Sequence, residues 1–218
     1  MIMDVRRLGR VPYEQAWALQ RRLADERRAG LIPDTLVLLE HPHTYTIGRS
    51  GTRDHVFLTQ AELTARGITC LDVDRGGDVT YHGPGQLVGY PIFDLGPSPD
   101  VGHYLRSLED CLIETLADFG IAADRLSGYT GVWIEDRKIA AIGVKVSQGV
   151  TTHGFALNVT TDLSLFTHIL PCGIPDKGVT SMAVELGRAP VMSEVEDAVV
   201  AHFSKRFVLP GTPAAHVA

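Results

Sequence analysis

Apolar and polar positions alternate along this chain with two distinct periods, and each period marks a kind of element. Val101, Tyr104, Leu105, Leu108, Leu112, Leu116 and Phe119 recur at helical spacing, predicting an amphipathic helix stopped by Gly120. A second helix is expected from Pro12 to about Arg28, with proline in the first turn and Gly30 beyond its end. A third opens at Ser193, read as an N-cap with Glu196 completing a capping box, and runs to about Phe207. Short apolar runs read as strands at Thr35–Glu40, Ile68–Val73, Leu87–Leu95 and Thr152–Thr160. Val132–Ile134 and Lys138–Val146 flank a polar turn at Glu135 and Asp136, which predicts a β-hairpin. Residues 1–208 read as one domain, and 209–218 as a loose, Pro/Ala-rich tail.

At 218 residues the chain is long enough for a sizeable α/β core. No apolar run approaches the ~20 residues a membrane-spanning helix needs, and the first residues lack an apolar secretory segment. Three widely spaced cysteines suggest neither a disulfide framework nor a metal knuckle. A reducing cytoplasm is the expectation. The net charge of −6 argues against a nucleic-acid partner. It is unevenly spread, with nine basic and six acidic residues up to Arg53 against eleven and twenty beyond. Arg6, Arg7, Arg10, Arg21, Arg22, Arg27 and Arg28 form either a solvated helix face or a surface that steers acidic proteins.

The stretch from Arg75 to Ile92 carries the densest chemical signal. Gly76, Gly77, Gly83 and Gly85 surround His82 and lead into an apolar strand, as expected of a wall that lies close to a ligand. The run is neither a P-loop nor a dinucleotide fingerprint. His41 and His43 lack further ligands at metal-binding spacing, so no metal is expected. Asp74, Asp78 and Asp176 read as loop or surface acids. Cys70 and Cys111 fall in predicted elements and read as small core residues, whereas Cys172 lies in a loop between Pro171 and Gly173. Lys138 and Lys145 are seven residues apart, an odd interval that sends them to opposite sheet faces unless a bulge intervenes. Lys177 is nearer Cys172 in sequence and is the rival to Lys138.

Five blocks in order resemble the signature of lipoyl(octanoyl) transferases, relatives of lipoate and biotin ligases. They are Leu39–Gly48, Arg75–Ile92, Arg137–Gly143, His153–Asn158, and Pro171–Ile174 with Val179–Met182. The resemblance implies an α/β (α+β) fold, a mixed sheet with flanking helices like the ligase catalytic domain. It implies Cys172 as the acyl-accepting nucleophile and Lys138 as its acid–base partner. It places substrate contacts on Arg75, Gly76, Gly77, Asp78, Val79, Thr80, Tyr81 and His82, on Ala141, Ile142 and Gly143, and on His153, Gly154, Phe155 and Ala156. Small residues at 141, 143, 154 and 156 would leave room for an alkyl chain. Amides near Gly77 or Gly173 could receive an oxyanion.

The activity so implied is transfer of an octanoyl group from acyl carrier protein to lysines of lipoyl domains, those of 2-oxoacid dehydrogenases and the glycine cleavage H protein. It needs no cofactor and no ATP, because the thioester is already activated. The alternatives are an ATP-dependent ligase of the same fold, an amidotransferase between lipoyl-accepting proteins, and a non-catalytic carrier-binding module. Lys145, where many relatives carry arginine, and Pro175 depart from the commonest pattern.

Overall fold

The computed structural model describes residues 3–170 and 177–207. Its strands are β1 (Asp4–Arg10), β2 (Thr35–Glu40), β3 (Thr44–Ile47), β4 (Thr69–Asp72), β5 (Val79–His82), β6 (Gln86–Ile92), β7 (Asp124–Leu126), β8 (Tyr129–Ile134), β9 (Arg137–Ser147), β10 (Val150–Asn158) and β11 (Gly178–Val179). Its helices are α1 (Tyr13–Arg28), α2 (Gln60–Ala65), α3 (Val101–Asp118), α4 (Met182–Leu186) and α5 (Met192–Phe207).

β2 is apolar at consecutive positions because both of its faces are covered. Leu36 and Leu38 join a core with Leu108, Leu112 and Leu116 of α3 and Val195, Val199 and Phe203 of α5. Val37 and Leu39 point the other way and pack with Ala16, Leu23 and Ala24 of α1. Each fully buried leucine or phenylalanine contributes about 1.5–3 kcal/mol relative to exposure. The large sheet runs β1-β2-β6-β10-β9-β8-β7, with β11 added alongside β9. It is mixed: β1 lies parallel to β2 and β11 to β9, and the other pairs are antiparallel.

A second sheet, β4-β3-β5, closes its own core around Tyr45, Ile47, Leu63, Tyr81 and Phe166. Tertiary contact makes strands here that local sequence did not reveal. β3 is four residues long, paired on both sides, and directly follows the His41–His43 turn. β1 was hidden by its arginines. Arg6, Arg7 and Arg10 lie on this edge strand and not on a helix face, which corrects the helix reading for those three.

Most arginines of the N-terminal cluster have acidic partners. Arg7 meets Glu196 and Asp197, Arg27 meets Asp34 and Asp94, and Arg28 meets Asp25. Exposed pairs of this kind contribute about 0–1 kcal/mol each, but they cancel much of the local positive field. Arg21 lies 4.8 Å over the Trp17 ring.

Two helix starts differ from expectation. α5 begins at Met192, so Ser193 is already helical and not its N-cap; the amides of Glu194 and Val195 turn back to the Val191 carbonyl. Pro12 is the N-cap of α1, one position before the first turn. The capping box belongs to short α2, where Thr59 and Glu62 bond each other's backbone amides.

Candidate active site

A cleft lies where the small sheet meets the large one, beside α1. Counted with its open mouth, its empty space is about 890 Å³. β9 and β10 form one wall. Ala141 and Ala156 are registered directly opposite each other, as are Gly143 and Gly154, so this part of the wall carries almost no side chain. Val79, Thr80 and His82 of β5 line the opposite side, with Arg75 and Gly77 from the loop before it.

The glycines serve the backbone at least as much as any ligand. A Cβ on Gly143 would stand 2.8 Å from the Gly76 carbonyl oxygen, because the Arg75–Gly77 loop lies flat on β9. The Gly76 amide donates to Val144 O at 2.9 Å, and a Cβ on Gly48 would collide with Gly77 O at 2.2 Å. Gly143→Ala is therefore expected to lift this loop and cost about 1–3 kcal/mol, measured as a lowered urea midpoint. An unchanged midpoint would show that the loop is not seated this way. Arg75 is buried and donates to Thr46 O at 2.7 Å and to Thr46 Oγ1, tying the loop to β3.

Lys138 sits at one end of the wall. Val132 pairs with Ala140 but Trp133 pairs with Lys138, so Ile139 is an extra residue in β9. This bulge sends Ile139 and Ala140 together into the α3 core and returns Lys138 to the cleft face shared by Ala141 and Gly143. The odd interval to Lys145 thus leaves both lysines on one face, contrary to the unbulged expectation. Their surroundings still differ. Lys138 Nζ stands 4.7 Å over the Trp133 ring, while Lys145 Nζ donates to Asp74 at 2.6 Å. Lys177 also lines the cleft.

The far end is built from histidines and tyrosines. His153 has φ of +58°, sparsely populated for a side chain of its size, and its amide donates at 2.6 Å to Gln20 Oε1 of α1 and not to the sheet. That kink turns its ring toward Tyr13 and Asp74. His153 Nε2 donates to Asp74 at 2.7 Å, leaving Nδ1 to accept from the Tyr13 hydroxyl at 3.3 Å. His41 donates through Nδ1 to Val11 O and accepts through Nε2 from Tyr90, both at 2.7 Å.

His82 donates to Gln86 Oε1 at 2.9 Å and faces Thr46 Oγ1 at 3.3 Å. Gln86 donates onward to Asn158 Oδ1, and Asn158 to Thr180 O. These bonds suit neutral imidazoles, and burial favours the same state. It lowers His41 to about 4 and His82 well below the usual histidine value. His153 is also lowered by burial, partly offset by Asp74. Burial opposes the charge of Asp74, yet hydrogen bonds from Lys145 and His153 hold its carboxyl down at about 2.

Most of the site residues expected from sequence line this one cleft; Gly76 and Tyr81 do not. Gly76 supplies the backbone anchor just described. Tyr81 is fully buried in the core of the small sheet, its hydroxyl 2.8 Å from His43 Nδ1. Ile142 and Phe155 touch the cleft and also pack into the α3 core. Asp74 and Asp78 lie in the loop between β4 and β5, as expected, and both are engaged: Asp74 with Lys145 and His153, and Asp78, which lines the cleft, with His55 at 2.7 Å.

Cys172, with Gly173 and Asp176, lies outside the described residues. Cys111 is buried on α3, where burial raises its thiol to about 12, and Cys70 is half-buried in β4. Tyr13, Tyr90, Trp133, Gln86 and Asn158 line the cleft without having been singled out. Gln86, Tyr90 and Asn158 stood inside the conspicuous blocks, whereas nothing local marked Tyr13 and Trp133.

Comparison with known proteins agrees with this architecture. An octanoyltransferase of Chloroflexus aggregans is 54% identical over 211 residues, covering 95% of this chain and 96% of that protein. One from Solibacter usitatus is 51% identical, covering 95% of each. The crystal structure of LipL1 from P. falciparum, in complex with lipoate, superposes with a TM-score of 0.76 at 12% identity, over 98% of this chain and 65% of that one. The family description "Lipoyl protein ligase A/B catalytic domain" matches residues 12–204, and the chain belongs to that family.

Proposed function

We propose that this chain is an acyltransferase of protein lipoylation that moves an octanoyl group from acyl carrier protein to a lipoyl-domain lysine, with Cys172 holding the group as a thioester. Octanoyl transfer follows from relatives about 50% identical over nearly the whole chain. The acceptors in this reading are the lipoyl domains of 2-oxoacid dehydrogenases and the glycine cleavage H protein, and the reaction belongs in the cytoplasm. Among the described residues, no helix is long and apolar enough to cross a membrane.

One observation carries the mechanism: Lys138 faces the cleft at the end of the bare Ala141–Gly143 stretch of its wall, in register with the described residues that follow Cys172 in sequence. The described chain resumes at Lys177 on the cleft, and Val179 of β11 is registered against Lys138. The Thr180 amide then donates to Lys138 O at 3.0 Å.

An ordinary thiol, with pKa near 8.5, is only a few per cent ionised at neutral pH, so it needs a base. Lys138 takes the Cys172 proton, and the thiolate attacks the acyl carbonyl. The C–Sγ bond forms, the carrier's C–S bond breaks, and the carrier thiolate leaves with the proton from Lys138. The acceptor lysine's amine then attacks the enzyme thioester, forming the amide C–N bond and breaking C–Sγ. Lys138 receives the amine proton and returns it to sulfur. The alkyl chain lies along Ala141, Ala156 and Gly143, and its methyl end points toward Tyr13 and His153.

Incubation with octanoyl carrier protein and no ATP is expected to add one octanoyl group to the enzyme, seen by intact-mass spectrometry, and to acylate a lipoyl domain. Cys172→Ala should show no adduct. Acylation that required ATP, or an adduct that survived Cys172→Ala, would replace this reading with the ligase alternative or with another nucleophile. Binding with neither adduct nor turnover would leave only a carrier-binding module.

A further inference from the structure

Glu109 is a carboxylate on α3 whose side chain is 0% exposed, on the side of the sheet away from the cleft, and the transfer scheme makes no use of it. Its Oε2 accepts from Arg106 at 2.6 Å and from Arg125 of β7 at 2.8 Å. Its Oε1 accepts from the Gly131 amide at 3.0 Å. Removing a partner from such a buried charge is strongly unfavourable, so these groups hold one another in place.

Gly131 has φ of +125°, a conformation that side chains rarely adopt, and it directly precedes the register shift at Val132 and Trp133. A Cβ there would lie 2.7 Å from Ala140 O, and the Cδ and Cε atoms of Lys138 pass 3.6 Å from that same point. The Lys138 stem therefore crosses the bare backbone of Gly131 before its ammonium reaches the Trp133 ring.

We propose that Glu109 is a positioning residue for Lys138: by gripping the Gly131 amide it fixes the kink in β8 across which the lysine stem lies. The inference rests on the reading of Lys138 as the acid–base group. The Glu109–Arg125 pair also staples β7 to α3, and a purely structural staple would lower stability without moving the lysine. The discriminating readout is consequently the lysine itself.

The chain has four lysines, so protein labelled with ¹³C at lysine Cε gives a small set of signals, assigned with Lys138→Arg. The Lys138 signal should be ring-current shifted by Trp133. It should move toward the free-lysine position in Glu109→Ala and in Gly131→Ala, and stay near its parent position in Glu109→Gln, whose amide oxygen can still accept from Gly131. In the same two variants kcat should fall about tenfold to a hundredfold, the loss a misplaced catalytic group brings, with KM for the octanoyl carrier nearly unchanged.

If Glu109→Ala does not fold, Glu109→Met decides, since it keeps most of the side-chain volume but cannot accept from the Gly131 amide; Gly131→Ala tests only the kink, because its Cβ would touch the lysine stem directly. An unmoved Lys138 signal in the folded Glu109→Ala or Glu109→Met protein, or an unchanged kcat there, overturns the proposal. Full activity of Lys138→Ala would instead remove the acid–base reading, and the spectrum would still decide whether Glu109 places the lysine.

Discussion

Lys138→Ala is expected to lower turnover of octanoyl carrier protein by about 10³-fold, the middle of the range for a positioned acid–base group. The loss should fall on kcat, since the cleft is lined chiefly by β9, β10 and the small sheet, and removing one amine leaves that wall intact. Lys138→Arg should rescue little. A guanidinium keeps its proton at any accessible pH and cannot cycle one between sulfur and the acceptor amine. Steady-state kinetics at saturating lipoyl domain, with single-turnover acylation measured alongside, separate the two half-reactions. Retention of activity within about fivefold would transfer the role to Lys177, which lines the same cleft. Lys145 is a poor substitute because it is already engaged with Asp74 at 2.6 Å.

Acid should destabilise the fold well before its carboxylates are neutralised. His41 is fully buried and held near 4, below the ordinary histidine value of 6.5. Between those two pH values the unfolded chain binds a proton that the folded chain refuses. The stabilisation is thus fully present above about pH 6.5, declines as pH falls, and is gone once pH passes 4. For His41 the loss is about 3 kcal/mol at 1.36 kcal/mol per pH unit. His82 and His153 are lowered by burial as well and add in the same direction. Asp74 acts later: its carboxyl is held at about 2, so its contribution persists above 3.8 and disappears only as pH falls through 2. Urea midpoints measured from pH 7.5 down to 4.5 should fall steadily below 6.5. A flat profile over that interval would mean that these imidazoles are not buried as neutral groups.

Much of the fold was legible because several elements bury one face and carry their own stops. α3 reads directly from the spacing of Leu108, Leu112 and Leu116, and the turn at Glu135 and Asp136 separates β8 from β9 as the sequence implies. β1 and β3 were not legible. One is an arginine-rich edge and the other a four-residue strand, and both exist because neighbouring strands supply their hydrogen bonds. The Ser193 cap failed for a related reason: the Val191 carbonyl already starts the helix two residues earlier. Within the site, Tyr81 was placed by its neighbours in the sequence. Strand alternation turns it away from the cleft that Thr80 and His82 line, into the core with Tyr45 and Phe166.

Along the chain, five ordered blocks and the resemblance they carry marked the candidates for acyl chemistry, a cysteine between proline and glycine and a lysine entering a strand, while the glycine run marked a stretch of backbone that lies close to its neighbours. Tertiary structure alone decided where Lys138 points, because one extra residue in β9 reverses the alternation that every strand otherwise obeys. It alone also drew His41, His82 and His153 into one neutral, buried network with Tyr13 and Tyr90. The ionisation of a side chain depends on the water and charges around it, and those come from segments more than a hundred residues apart in the chain.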